Sequence, residues 1–389
     1  MSTNASTERA VFIQDRFAIG FWVDPPADEN MDQHYADIAA ANFTMVIGGF
    51  GAKTPETVAK QINLCEKYDL KAVVDRAKLR PAELPESPAV WGYRIHDEPY
   101  AKDFPGLRDI VADIREARPG RLSYINLFPN YASEQMLGTK TYDEHVRRFV
   151  EEVEVDVLSM DHYPRFVPGD DSRSGYYCRN LEVMRKYSLW RGIPFWNFFN
   201  AMPFADRYDP TEAQLRWQIY SSIAFGAKGV LYFCYWTPFG PVFSKGGAII
   251  TAEGRKTRHY EQAKRINHGI KSMGPTLMEL TSTGVYRVEP GDDPSQVLEE
   301  TPIVSLTEGD YLVGVFEHTD GRRAVLLNNH SFSHTAWPTV EFDVPVEQVR
   351  EVCKETGQEI PPVDDSPIMD GLQVSLDSGE GRLFLLSSS

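Results

Sequence analysis

Two acids in succession, Asp97 and Glu98, end the run Val90-Trp91-Gly92-Tyr93-Arg94-Ile95-His96, and Pro99 closes the segment. Adjacent carboxylates repel, so holding both near a pocket costs free energy unless one keeps its proton or both are well hydrogen-bonded. That environment raises a carboxyl pKa and suits it to general acid work, which makes Glu98 the expected proton donor. The ends of other apolar runs carry Trp22 and Asp24, Asp75 and Arg76, Asn126 and Asn130, Asp161-His162-Tyr163-Pro164, Trp196 with Asn197 and Asn200, and Tyr232 with Tyr235 and Trp236. Acids, amides and aromatics predominate, with hardly a base among them. Such a mixture suits a sugar, whose C–H faces stack on aromatic rings while acids and amides bond the hydroxyls. A phosphate site would show glycine-rich turns, Lys or Arg. Each residue also has a plainer reading. Strands favour aromatics on their own account, and an acid after a strand can cap the next helix. Asp24, followed by two prolines, reads as a cap or turn, and Asp75 fits either role.

Those residues need a scaffold that brings strand ends together. From about residue 17 to 275, short apolar runs alternate with amphipathic stretches, the pattern of βα units on a parallel sheet. Eight strands are expected at 17–24, 44–49, 71–76, 90–96, 122–128, 155–160, 194–199 and 229–235, each followed by a helix. Helical patterns include 54–68, where Thr54 precedes Pro55, 142–153, and 211–224 behind Asp209-Pro210-Thr211-Glu212. Eight units in roughly 260 residues match a closed (β/α)8 TIM barrel. A doubly wound open sheet is the alternative, but neither GxGxxG nor GxxxxGK[ST] follows the first strand. In a barrel, the C-terminal strand ends face one pocket. Beyond Pro275, short alternating strands at 285–288, 311–317, 324–328, 339–342 and 372–376 predict a small antiparallel β-sandwich, dividing the chain into a barrel (1–280) and a β domain (281–389). Loops 165–175 and 238–247 are expected to rim the pocket.

The chain has 389 residues, 42% hydrophobic and 25% charged, which is ample for two packed cores. A formal charge of −16 argues against nucleic acid and anionic membrane surfaces as partners. Cys65, Cys178, Cys234 and Cys353 show no ligand spacing and read as reduced thiols. The polar start, residues 1–10, has no apolar signal region, and no run approaches a membrane span, so a cytoplasmic location is expected. Self-association into a homo-oligomer stays open.

The segment Gly92-Tyr93-Arg94-Ile95-His96-Asp97-Glu98-Pro99 resembles the end of the fourth strand in clan A glycoside hydrolases, where an Asn-Glu or Asp-Glu pair carries the acid/base glutamate. Pro210-Thr211-Glu212 through Tyr220, and Ala227-Lys228-Gly229-Val230-Leu231-Tyr232-Phe233, are similar to barrel glycosidases of the β-galactosidase-like type. The stretch from Gly371-Leu372-Gln373-Val374 to Gly381-Arg382-Leu383-Phe384 resembles their C-terminal β domains. The resemblance implies Glu98 as acid/base and a nucleophilic glutamate at the end of strand seven. Phe195-Trp196-Asn197-Phe198-Phe199-Asn200 contains no acid; the nearest, Asp206 and Asp209, lie in the following loop, Asp209 as a helix cap. Three completions follow. Asp161 supplies the second carboxylate that glycoside hydrolysis usually needs, oriented by His162 and Tyr163. Alternatively, Asp97 and Glu98 act together as in barrel hexosaminidases, where the substrate's acetamido group is the nucleophile; strand alternation then demands a bulge or strand end that lets both reach the pocket. In the third, catalysis is lost and a sugar-binding barrel remains. A metal-dependent isomerase or aldolase using Asp75, Glu98, Asp161 and His162 is a competing class, but no HExxH and no strand-end Lys supports it, and neither metal nor cofactor is expected.

Overall fold

The computed structural model describes residues 10–169, 174–368 and 370–387; the polar stretch 1–9 and part of the expected rim loop 165–175 lie outside the described residues. Eight parallel strands form one sheet: β1 (Ala18–Phe21), β2 (Met45–Ile47), β3 (Lys71–Asp75), β4 (Val90–Asp97), β5 (Leu122–Leu127), β6 (Leu158–Asp161), β7 (Phe195–Asn200) and β8 (Gly229–Phe233). Their order, β1-β8-β7-β6-β5-β4-β3-β2, leaves β1 and β2 as the two ends. Thr44 closes the ring. Its backbone N–H donates to Ile19 O (2.9 Å), its hydroxyl donates to Phe17 O (2.9 Å), and Ile19 N–H donates to that hydroxyl (2.8 Å). The result is the expected barrel, with its interior filled by side chains.

The connecting helices are α1 (Met31–Ala40), α2 (Pro55–Lys67), α3 (Phe104–Ala117), the single turn α4 (Glu134–Leu137), α5 (Tyr142–Glu152), α6 (Ser174–Arg191), α7 (Glu212–Ala224) and α8 (Arg258–Met278). α2 begins on a Thr54 cap that accepts from Thr57 N–H (3.3 Å), with Pro55 at the first helical position. α7 begins on a reciprocal box in which Thr211 Oγ1 accepts from Gln214 N–H and Gln214 Oε1 accepts from Thr211 N–H. Asp209 is therefore not the cap. It binds Arg258 (2.6 Å) and His259 Nε2 (2.8 Å) at the start of α8. A second correction concerns β3, which no α-helix follows. Pro81, Pro85 and Pro88 interrupt that connection, removing donors and clashing with helical carbonyls, and only the 3-10 turn Pro81–Glu83 forms.

α8 ends at Met278, and the next strand, β9 (Leu280–Val288), starts the C-terminal sheets. It is followed by β10 (Ile303–Leu306), β11 (Tyr311–His318), β12 (Arg323–Asn329), β13 (Thr339–Phe342), β14 (Val349–Val352), β15 (Glu359–Ile360), β16 (Leu372–Gln373) and β17 (Gly381–Leu386). They form an antiparallel six-stranded sheet, β15-β14-β17-β12-β11-β9, and a three-stranded sheet, β10-β13-β16. Period-two alternation divides the larger sheet. Leu312, Phe316, Leu326, Leu383 and Leu385 face the barrel helices and join its core. Val313, Val315, Val325, Leu327, Phe384 and Leu386 face the small sheet and form a second core with Val340 and Leu372. All four cysteines are free, with Cys65 and Cys234 buried. Among the described residues, no helix is long and apolar enough to cross a membrane.

Candidate active site

The register of β4 slips against β5 between Arg94 and His96, leaving Ile95 as an extra residue, so that Asp97 sits beside Asn126 on β5. Glu98 then turns with φ 51°, its N–H held by Asn126 O at 2.8 Å. A non-glycine residue in the left-handed region carries strain that its surroundings must hold in place. The bulge and the turn have one consequence. Asp97 and Glu98, neighbours that strand alternation would send to opposite faces, both line one cavity. It has a volume of about 180 Å³ and is walled by Trp22, Asp97, Glu98, Asn126, Asp161, Tyr163, Phe198 and Phe233. That is below the range of about 300–1,000 Å³ common for drug-sized ligands, and it suits one ring.

Asn126 orders the acids. Tyr124 Oη lies 2.9 Å from Ser159 Oγ, and Ser159 Oγ donates to Asn126 Oδ1 at 3.0 Å. The amide's NH2 is thereby aimed at the carboxylates, donating to Asp161 Oδ1 (2.9 Å) and Asp97 Oδ1 (3.3 Å). Two carboxylate oxygens thus sit within two hydrogen bonds of each other on a single nitrogen. Tyr124 and Ser159 were not among the expected residues; they share strand parity with Asn126 and Asp161, the signal that could have found them. Phe198 and Phe233 also wall the cavity and carry no polar group that would mark them in the sequence.

Burial, and then the adjacent Asp97 charge, push Glu98 up to about 7. Asp161 is raised well above the ordinary carboxylate range, first by complete burial and then by the charges of Glu98 and Asp97, against the lowering effect of the Asn126 bond. Asp97 is raised by desolvation and eased by Asn126 and Arg94. Because its side chain keeps contact with solvent at the cavity mouth, its perturbation weighs less than that of Asp161. The Glu98 charge is among the causes that raise Asp161, so loss of a proton from one bears on the other.

Of the expected site residues, Glu98, Asp97, Asp161, Trp22, Asn126 and Tyr163 converge on this cavity. The others lie elsewhere, for reasons of strand parity and local bonding. On β7, Trp196 points inward but at the opposite end of the barrel, stacked on Trp91 (5.9 Å) with its indole N–H on Gln14 Oε1 (2.9 Å). Gly229 makes room for it, since a Cβ there would lie 2.5 Å from the indole. Asn197 faces the helices and donates to Tyr177 Oη (2.6 Å) and Ser222 Oγ (2.9 Å). Asn200 accepts from Met202 N–H (3.2 Å) and donates to Tyr208 O (3.4 Å), bracing the following loop. Tyr232 faces outward and donates to Asn267 Oδ1 (2.8 Å) on α8. Tyr235 stacks on Phe21 (4.4 Å) and Trp236 edges onto His34 (5.0 Å), so both are packing residues. His96 is exposed beside the cavity.

Asp75 holds Arg94 Nη2 at 2.9 Å, and Asp24 accepts backbone N–H bonds from Phe50 (2.7 Å), Gly51 (3.1 Å) and Ala52 (2.8 Å), fixing the loop after β2. His162 is buried with Nδ1 donating to Asn180 Oδ1 (3.0 Å) and is pushed down to about 4 by burial, so it is neutral. Asp75, Glu98, Asp161 and His162 thus do not meet around one point, and no metal-type grouping of three His, Cys, Asp or Glu occurs among the described residues. Of the two loops expected at the rim, 238–247 folds Phe243 against Phe204 and Phe233 (6.2 Å each), backing the cavity wall.

No protein-family profile matches the chain, and no curated protein matches it in sequence. In three dimensions it is similar to a catalytic mutant of Gan42B, a GH42 β-galactosidase from G. stearothermophilus, with 9% identity over 96% of this chain and 98% of that one and a TM-score of 0.64. It is likewise similar to a β-galactosidase from Bacillus circulans sp. alkalophilus, at 9% identity over 96% and 99% of the two chains, TM-score 0.62. Against a β-galactosidase from the haloarchaeon Halorubrum lacusprofundi the identity is 14% over 66% of this chain, the TM-score is 0.50, and the chain spans 58% of that protein's length. At such identities the likeness establishes a shared architecture, a barrel followed by antiparallel sheets.

Proposed function

We propose that this chain is a glycoside hydrolase in which Glu98 is the general acid and Asp161 the second carboxylate. The observation that carries the reading is the convergence of Asp97, Glu98 and Asp161 in one small aromatic-walled cavity at the C-terminal strand ends. Glu98, raised to about 7, keeps its proton below that pH and can give it to the glycosidic oxygen as the C–O bond breaks. With Glu98 protonated, one repulsion that raises Asp161 disappears, and the Asn126 bond favours its ionised form. Asp161 then faces the positive charge that develops at the anomeric carbon, either bonding to it or activating water against it. Architectural likeness to solved β-galactosidases adds support.

A second reading has an observation of its own. The bulge at Ile95 and the turn at Glu98 satisfy the requirement for an Asp97–Glu98 pair to work side by side. In that case Asp97 orients the acetamido group of an N-acetylhexosaminide and Glu98 protonates the leaving oxygen. A panel of aryl α- and β-glycosides, N-acetylhexosaminides included, with products followed by proton NMR, separates the two. Turnover of plain glycosides favours Asp161; turnover confined to N-acetylhexosaminides favours Asp97. No turnover on any member, with unaltered sugar binding in Glu98→Gln, would leave a binding barrel and defeat both.

A further inference from the structure

We infer that a second cavity beside the carboxylates receives a negatively charged sugar substituent, a carboxylate or a sulfate ester, on the ring next to the one at Glu98. This rests on the glycosidase reading and names its substrate class. The cavity, about 380 Å³, is lined by Tyr131, His162, Tyr163, Arg165, Arg207 and one acid, Asp206, among others, and Tyr163 also walls the carboxylate cavity. Two rings of one substrate would therefore lie on either side of Tyr163.

Its charge is unusual for a chain of net −16. Arg165 Nη2 and Arg207 Nη1 each lie 3.0 Å from a different oxygen of Asp206, so two guanidiniums share one carboxylate and a positive charge is left over. Among the described residues, the Nε atoms of both arginines are buried without a hydrogen-bond partner. His162 adds no charge, because burial keeps it neutral. Arg207 is held in place by the Phe204 ring at 4.9 Å and the Tyr131 ring at 5.7 Å, and it donates to Tyr131 Oη at 3.1 Å. A preorganised, partly desolvated guanidinium suits the paired anionic oxygens of a planar carboxylate or a tetrahedral sulfate ester, whereas neutral hydroxyls gain less from it. The arginines come from the loops after β6 and β7, beyond the strand ends.

Calorimetric titration of the protein with matched disaccharides tests this. Glucose-, galactose- and mannose-based pairs would each be offered as the neutral sugar, the uronic acid and the monosulfate. At least one charged sugar should bind tenfold or more tightly than its neutral counterpart, with the preference shrinking as salt rises. Arg207→Gln should erase it; Arg165→Gln, a more exposed position, should reduce it and guards against a folding defect in the first variant. A larger gain for uronates than for sulfates, or the reverse, identifies the group. Neutral and charged counterparts within twofold throughout, or no binding by any charged sugar, overturns the inference. A charge preference without hydrolysis of any glycoside would sustain this inference and sink the glycosidase reading; hydrolysis without a charge preference would do the opposite.

Discussion

Replacing Glu98 by Gln keeps the side chain's shape and removes its ionisation, so it separates proton donation from packing. In the folded protein the group titrates near 7, against 4.5 for an ordinary glutamate. Its native pKa is raised, so the folded state holds the proton more tightly. Below pH 4.5 the group costs nothing; between 4.5 and 7 the folded state progressively loses stability relative to the unfolded chain, and above 7 the penalty is complete. At about 1.36 kcal/mol per unit the full penalty is about 3 kcal/mol, reduced to about 2 kcal/mol by the residual solvent contact of the side chain. Glu98→Gln should therefore be no more stable than wild type at pH 4.5 and about 2 kcal/mol more stable at pH 8, read from urea unfolding at four pH values. The same variant should lose the alkaline limb of kcat/KM near pH 7, and with it turnover of glycosides carrying poor leaving groups, by about 10²–10⁴-fold. Activated aryl glycosides need less proton donation and should lose less. A stability change that does not depend on pH, or equal loss on both leaving-group classes, would refute the reasoning.

Asp161→Asn should abolish turnover on every leaving group if Asp161 bonds to the sugar, and azide should then yield a glycosyl azide of inverted configuration by NMR; full activity ends that role. Trp22→Ala should raise KM about tenfold with kcat less affected, as expected for a cavity wall, by steady-state kinetics. Trp196→Phe, which breaks the Gln14 bond at the other end of the barrel, should lower stability by about 1 kcal/mol and leave KM unchanged. In the C-terminal sheet, Arg382 holds the buried Glu351 (Nε to Oε1 2.7 Å). Arg382→Met should cost about 3–5 kcal/mol in denaturant unfolding by stranding that carboxylate, and adding Glu351→Leu should recover most of it.

The barrel was legible in the sequence because eight apolar runs alternating with amphipathic stretches have few other ways to bury themselves, and the Asp97-Glu98-Pro99 ending stood out at the close of one run. The C-terminal sheets were only partly legible. β17, apolar on both faces because it lies between the barrel helices and the small sheet, lacks the alternation by which exposed strands are recognised. Local sequence could not decide which strand-end residues face the cavity. Asn197 and Tyr232 are polar and well placed by position, yet parity turns them to the helices. Asp97 and Glu98 should by parity have diverged, yet one extra residue in β4 and a left-handed turn bring both inward. The sequence by itself determined the scaffold and set Asp97 and Glu98 at the end of its fourth strand, since hydrophobic periodicity and residue chemistry act over short range. Only the tertiary structure brought Asp161 and Asn126 against Asp97 and Glu98, because their approach depends on register across three strands and on a shared hydrogen bond.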